Sequence, residues 1–172
     1  MITKKGIVKK TVLAEFRRPI RRGKIALTIR EDDEILGAVL TNGDNDIMVV
    51  TRKGMSIRFN EQDVRTMGRI ATGVRGINLA EGDEVVSVDV VHEGSSVIVV
   101  TENGYGKRSE VDEYRLIKRG GKGVFAIKAS ERNGQVVGAL QVTDEDELMM
   151  ITNGGKIIRI SMRDLRVIGS NT

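Results

Sequence analysis

The sequence repeats itself at an interval of about fifty residues. A glycine recurs as Gly6, Gly54, Gly104 and Gly155. Other columns keep step with it: a threonine three residues earlier (Thr3, Thr51, Thr101, Thr152), a base four residues later (Lys10, Arg58, Arg108, Arg159) and an arginine eleven residues later (Arg17, Arg65, Arg115, Arg166). Equivalent units in a repeat protein pack against one another. This period therefore constrains the fold more than any other feature of the sequence.

Each unit has the pattern of β-structure. The apolar run at 47–50 recurs at 97–100 and at 148–151, and four apolar residues in a row are typical of a strand covered on both faces. A tight turn containing glycine follows each run, and Asn-Gly at such a turn favours a two-residue hairpin. A second strand follows at 55–59, where side chains alternate in character.

The rest of the unit is predicted to hold a polar, basic connection and two more strands. For the second unit these strands are placed at 76–79 and 85–90. No window shows the sustained 3.6-residue periodicity of a helix.

Four antiparallel strands in fifty residues predict an all-β, propeller-like fold of four-stranded blades. The absence of tryptophan excludes the Trp-Asp propeller repeat. We interpret 1–172 as a single repeat domain with two complete units, about 47–96 and 97–147. Partial units precede and follow them at 1–46, which lacks its opening strand, and at 148–172. Too few units are present to close a ring.

Composition excludes several functional classes. The chain has no cysteine and one histidine, His92, which excludes a disulfide scaffold, a thiolate metal site and a cluster of histidine ligands. No apolar stretch approaches the length of a membrane span, and residues 1–5 lack the apolar block of a signal peptide. We therefore expect a cytoplasmic, non-catalytic domain with no membrane contact and no metal or cofactor of its own.

Charge alternates with the repeat. Residues 4–30 hold ten bases and one acid, whereas 31–51 hold six acids and no base. Within each unit the bases fall on the second strand and on the connection after it, so stacking merges them into a basic band. Its predicted members are Lys9, Lys10, Arg17, Arg18, Arg21, Arg22, Lys24, Arg58, Arg65, Arg69, Arg75, Lys107, Arg108, Lys118, Arg119 and Lys122.

Other interpretations of these charges remain open. An acid stands two residues before each arginine of the eleventh column, so pairs such as Glu15 with Arg17 are either salt bridges or neighbours of a free base. The acids at 32–34 and 144–147 suit a solvated strand edge better than a divalent-ion site. His92, in a hairpin turn, is expected to be exposed and without a role.

The basic band predicts a polyanionic partner with an accessible backbone. Five aromatic residues do not supply a stacking platform for single strands, since Phe16 and Tyr114 occupy a core column. No helix is available for a major groove. The remaining possibility is duplex DNA bound through its phosphates. Such binding takes its selectivity from how easily the DNA bends.

Several motifs resemble the C-terminal domain of the bacterial DNA gyrase A protein. They are 6–11 (Gly-Ile-Val-Lys-Lys-Thr), Arg58-Phe59 with 64–68 (Val-Arg-Thr-Met-Gly), 73–77 (Gly-Val-Arg-Gly-Ile), 104–108 (Gly-Tyr-Gly-Lys-Arg), 131–134 (Glu-Arg-Asn-Gly) and 136–142 (Val-Val-Gly-Ala-Leu-Gln-Val). The resemblance covers the whole chain and implies that the fold is a β-pinwheel of about six blades, of which this chain holds the later ones in an incomplete ring. It also implies that the domain wraps duplex DNA on its basic rim and supports ATP-dependent negative supercoiling.

The resemblance carries further implications for partners and sites. The partners would be duplex DNA and the remainder of gyrase A and gyrase B, with ATP and Mg²⁺ bound elsewhere in the holoenzyme. The family's box, Gln-Arg-Arg-Gly-Gly-Lys-Gly, belongs to a first blade that this chain lacks. Residues 118–123 (Lys-Arg-Gly-Gly-Lys-Gly) are similar to its last six positions, with Ile117 in place of glutamine, and we interpret them as a degenerate copy that contacts phosphate.

Two alternatives stay open at this point. The C-terminal domain of topoisomerase IV has similar blades, although the motifs at 104–108 and 131–134 favour gyrase. A propeller that docks proteins would need exposed aromatic or methionine anchors, and Met48, Met149 and Met150 lie in strand runs that predict burial. No nucleophile–base pair supports an enzyme.

Overall fold

A computed structural model describes residues 1–18 and 20–169, and within these ranges it is built from short β-strands. The strands are β1 Ile2–Thr3, β2 Ile7–Val8, β3 Ile35–Gly37, β4 Asp46–Thr51, β5 Met55–Asn60, β6 Val74–Arg75, β7 Val85–Val90, β8 Ser96–Thr101, β9 Gly106–Glu110, β10 Val124–Phe125, β11 Val136–Val142, β12 Glu147–Ile151 and β13 Ile157–Ser161. Four 3₁₀ turns occur at Leu13–Phe16, Glu61–Asp63, Val111–Glu113 and Met162–Asp164. The described residues include no α-helix, as predicted, and no helix able to span a membrane.

The recurring threonine and glycine build the hairpin between the first two strands of each unit. The backbone N–H of Gly54 donates to the Thr51 carbonyl at 3.0 Å, and the Thr51 hydroxyl oxygen accepts the N–H of Met55 at 3.1 Å. Gly54 has a φ of +84°, which a residue with a side chain rarely adopts. The loop therefore holds three residues with glycine last, and the predicted two-residue turn is wrong because asparagine and lysine before the glycines keep negative φ.

The sheets exchange a strand between neighbouring units. β6 leaves the connection of the second unit and pairs with β2 of the first, giving the order β3-β1-β2-β6. β10 likewise leaves the third unit and pairs with β5, giving β10-β5-β4-β7. The third strand predicted at 76–79 is therefore wrong in place and in partner. It is two residues long, lies just before that segment, and completes the preceding sheet, a pairing that local sequence does not encode.

The first unit has its opening strand, contrary to the prediction. β1 is only two residues long, so it shows no four-residue apolar run, yet it pairs with both β2 and β3. The last two sheets are smaller, with the orders β11-β8-β9 and β12-β13. The predicted strands at 85–90 and in the three apolar runs are confirmed.

The core lies between successive sheets. On β4, Ile47 and Val49 pack toward the first sheet, whereas Met48 and Val50 pack toward the third, so the strand is covered on both faces as predicted. Tyr114 is buried in the second of these layers, which confirms its core assignment.

The last apolar run is covered on one face only. Leu148 packs with Ile98 and Met162, but Met149 is 60% exposed. The predicted burial of Met149 is wrong because, among the described residues, no further sheet packs on that face of β12.

Candidate nucleic-acid interface

The bases on the second strands are committed to protein acceptors. The Arg108 side chain is 4% exposed; one of its nitrogens donates to the Met162 carbonyl and another to Asp144, each at 2.7 Å. Arg58 donates to Asp46 at 2.9 Å and to the Val111 carbonyl at 3.3 Å. These arginines hold neighbouring units together, and the donors that make these bonds are not available to a ligand.

The same contact recurs at three junctions. Lys10 donates to the Glu61 carbonyl at 2.8 Å, just as Arg58 and Arg108 donate to carbonyls of the next unit. In every case the acceptor is the first residue of the next unit's 3₁₀ turn. The base four residues after the recurring glycine is thus an inter-unit latch at these three junctions, whereas the fourth base of the column, Arg159, pairs with Glu147 in its own hairpin.

Two lysines of the basic band are also buried. Lys9 is 3% exposed and donates to the carbonyls of Ala26 and Arg69. Burial, and to a lesser extent the charge of Arg69, lowers the pKa of Lys9. Burial likewise lowers the pKa of Lys107, against the opposing charge of Glu113. These groups lie inside the protein, where phosphate does not reach.

The bases of the connections behave differently. Eight members of the predicted basic band lie exposed on the connections, and in the ranges 1–18 and 20–169 none of the eight forms a side-chain hydrogen bond or ion pair. We call these the rim bases: Arg17, Arg18, Arg21, Arg22, Arg65, Arg75, Lys118 and Lys122. They are the members of the basic band whose charge is available to a ligand.

The connections that carry the rim bases lie side by side. The N–H of Thr28 in the first connection donates to the Ala71 carbonyl of the second at 3.4 Å. Fifty residues later, the N–H of Asn78 donates to the Gly121 carbonyl of the third connection at 2.8 Å. The connections of three successive units, which carry the rim bases, are therefore adjacent in the order of the chain.

Three bases of the band occupy an intermediate position. Lys24 donates to the carbonyls of Glu15 and Arg17, at 3.3 and 2.5 Å. Arg69 and Arg119 bond to carbonyls of the preceding connection. All three are partly exposed, and their donors face the protein backbone.

Several acidic residues have structural partners. The described residues contain no ion pair between Glu15 and Arg17, or between any acid and arginine two residues apart in these columns. Asp33 accepts the N–H groups of Lys5 and Glu34, and Asp144 pairs with Arg108. No group of three or more possible metal ligands occurs in the described ranges.

Comparison with known proteins settles the family. A family model described as "DNA gyrase C-terminal domain, beta-propeller" matches residues 1–42, 45–92, 95–143 and 146–172. The chain belongs to this family. The DNA gyrase A protein of Klebsiella oxytoca is 48% identical over 172 residues, which cover all of this chain and 20% of that protein. The corresponding protein of Clostridium acetobutylicum is 48% identical over 171 residues, 99% of this chain and 21% of that protein.

Solved structures agree with the fold. A DNA gyrase A C-terminal domain superposes with a TM-score of 0.87 at 29% identity, covering 99% of this chain and 57% of that one. The C-terminal domain of DNA topoisomerase IV gives a TM-score of 0.92 at 28% identity, covering 98% of this chain and 53% of that one. This gyrase-family chain spans about a fifth of its curated relatives and about half of these structures.

The box-like loop of this gyrase-family chain is ordered by backbone contacts. Ile117, where the box has glutamine, packs against the core. Gly123 has a φ of +81° and sits against the Ser56 carbonyl, where a Cβ would overlap it. Lys118 and Lys122 remain exposed on either side of the glycines.

Sequence reasoning missed two exposed bases in the column of Arg17 and Arg65. Arg115 and Arg166 are exposed and have no side-chain partner in the described part of the chain. The column itself was the signal that could have added them to the basic band.

A buried carboxylate stiffens the first latch. Glu61 accepts the N–H of Gly43 at 2.8 Å, the N–H of Asn45 at 3.0 Å and the hydroxyl of Thr41 at 2.8 Å, and lies 3.7 Å from the Lys10 ammonium. Burial by itself raises the pKa of Glu61, but these donors and the Lys10 charge outweigh it and hold the pKa below its usual value.

The lowered pKa of Glu61 predicts an acid-sensitive contribution to stability. That contribution is complete above the usual glutamate pKa of about 4.3 and is lost as pH falls through the lower pKa of the folded state. We expect Glu61→Gln to lower the free energy of unfolding by about 1–3 kcal/mol at neutral pH, because the amide group meets N–H donors. The variant should also lose less of its stability than the wild type as the pH falls into the acid range. Urea unfolding between about pH 3 and pH 7 measures both. The same decrease in unfolding free energy with falling pH in the variant and the wild type would contradict the prediction.

Proposed function

We propose that this chain binds, bends and wraps duplex DNA without sequence specificity along the rim bases, as the C-terminal module of a DNA gyrase A protein. One observation carries the proposal. The buried bases are bonded to protein, while the rim bases lie exposed on connections that are adjacent to one another and recur about every fifty residues.

The chemistry of this surface suits phosphates. Arginine and lysine neutralise the duplex backbone and release its counterions, which supplies sequence-independent affinity. A curved row of such contacts holds a bent duplex, and the energy of bending then selects for flexible DNA. Base stacking is not required, in keeping with the scarcity of aromatic side chains.

The wider role is also a proposal. In the holoenzyme the module would present a wrapped segment to the remainder of gyrase A and gyrase B, where ATP and Mg²⁺ bind and strand passage takes place. The module itself would be non-catalytic, without a cofactor, and located in the bacterial cytoplasm at the nucleoid. The identity to curated gyrase A proteins supports gyrase over topoisomerase IV.

Salt dependence tests the proposal directly. Filter binding of a duplex of about one hundred base pairs is measured at rising salt. Contact with about six to ten phosphates predicts a loss of about 10³–10⁵ in affinity between about 50 and 200 mM salt. A flat response, or no retention at low salt, would reject duplex binding by the rim.

A further inference from the structure

Two arginines of the basic band make the same contact at successive unit junctions. Arg69 donates from one terminal nitrogen to the Ile25 carbonyl at 3.1 Å. Arg119, fifty residues later, donates from the same nitrogen to the Arg75 carbonyl at 2.9 Å. Because Ile25 and Arg75 are also fifty residues apart, the contact repeats with the period of the chain.

Arg119 bonds to both ends of the preceding connection. Its Nε donates to the Asp63 carbonyl at 2.8 Å, while its terminal nitrogen reaches Arg75. The residue that it holds at the far end, Arg75, is itself a rim base with an exposed side chain. Neighbouring backbone bonds reinforce this junction, since Gly120 donates to the Gly76 carbonyl at 2.5 Å.

We infer that Arg69 and Arg119 are positioning residues that clamp each connection to the one before it and thereby set the spacing of the rim bases along DNA. The inference rests on the proposed function for its ligand, the duplex phosphate backbone. Their contribution comes through guanidinium geometry, in contrast to the rim bases, which contribute charge.

The physical reason lies in the shape of the side chain. A guanidinium offers several N–H donors in one rigid plane, so a single group bridges two carbonyls of a fixed loop. A lysine ammonium carries the same charge on a flexible stem and does not reproduce that planar bridge. Phosphates on a bent duplex are fixed in spacing, so a loosened connection engages them less well even though no charge is lost.

Arg119→Lys separates the contribution of charge from the contribution of geometry, because it keeps the charge and removes the planar bridge between two carbonyls. End-to-end fluorescence transfer on a saturated duplex reports bending, and filter binding reports affinity and its salt dependence. We expect the variant to lose most of the bend and about tenfold in affinity, with the salt slope unchanged. The control, Arg30→Lys, changes an exposed arginine that lies outside the basic band and has no described side-chain partner, and it should match the wild type.

Each outcome decides between the two hypotheses. If Arg119→Lys bends the duplex as much as the wild type does, the clamp is overturned. The proposed function still stands in that case as long as the wild type binds DNA. A wild type that fails to bind rejects the proposed function; the clamp is then judged by amide exchange at Gly120 and Asn78, which should accelerate about tenfold in the variant if the bridge orders this junction. If Arg119→Lys unfolds, Arg69→Lys is measured in the same way. Loss of duplex bending by that variant supports the clamp, and wild-type bending overturns it.

Discussion

Reversing four rim bases should abolish retention of duplex DNA. Replacing Arg21, Arg22, Lys118 and Lys122 with glutamate removes about four phosphate contacts and adds repulsion. We expect affinity to fall by about 10³-fold or more near physiological salt, and the slope of log affinity against log salt to become shallower by about four. The substituted side chains are exposed and have no bonding partner among the described residues, so the unfolding midpoint should stay close to that of the wild type.

The matched control carries an identical change in net charge at other sites. Lys5, Lys53, Lys128 and Lys156 are exposed bases outside the basic band. Their replacement with glutamate should leave most of the affinity, since these side chains do not lie on the connections. If the control lost as much affinity as the rim variant, binding would follow overall charge and the rim would have no special role.

Gly123→Ala should be among the most damaging single substitutions in the fold. Gly123 has a φ of +81° and lies against the Ser56 carbonyl, at the point where β10 joins the sheet of the preceding unit. A Cβ there adds left-handed strain and a steric overlap with backbone that does not move freely. We expect a loss of more than about 3 kcal/mol in urea unfolding, with faster amide exchange in β10.

Gly23 provides a control from the same column of the repeat. Its φ is +70°, but a Cβ at this position would meet nothing within 4 Å among the described residues. Gly23→Ala should therefore cost only the backbone strain, about 1–2 kcal/mol. Similar losses at both sites would mean that strand exchange adds nothing beyond the turn conformation.

The period and the strands could be predicted from the sequence because they depend on local chemistry. A run such as 47–50 is apolar on both faces because the strand is buried on both faces, and its neighbours in the sheet do not change that requirement. The recurring glycines predicted turns correctly, although the turn has three residues in its loop. Strand exchange was missed because β6 is too short to show a pattern and pairs with a distant strand, β2 of the preceding unit.

The sequence by itself determined the repeat, the all-β architecture and the family, and it marked most of the exposed bases on the connections. Only the tertiary structure decided which of those bases are free. Lys10, Arg58 and Arg108 each donate to a backbone carbonyl of the next unit, and the presence of that carbonyl does not depend on which residue carries it. A column of bases thus looks the same in sequence whether it latches two units or lines a surface, and packing alone separates the two.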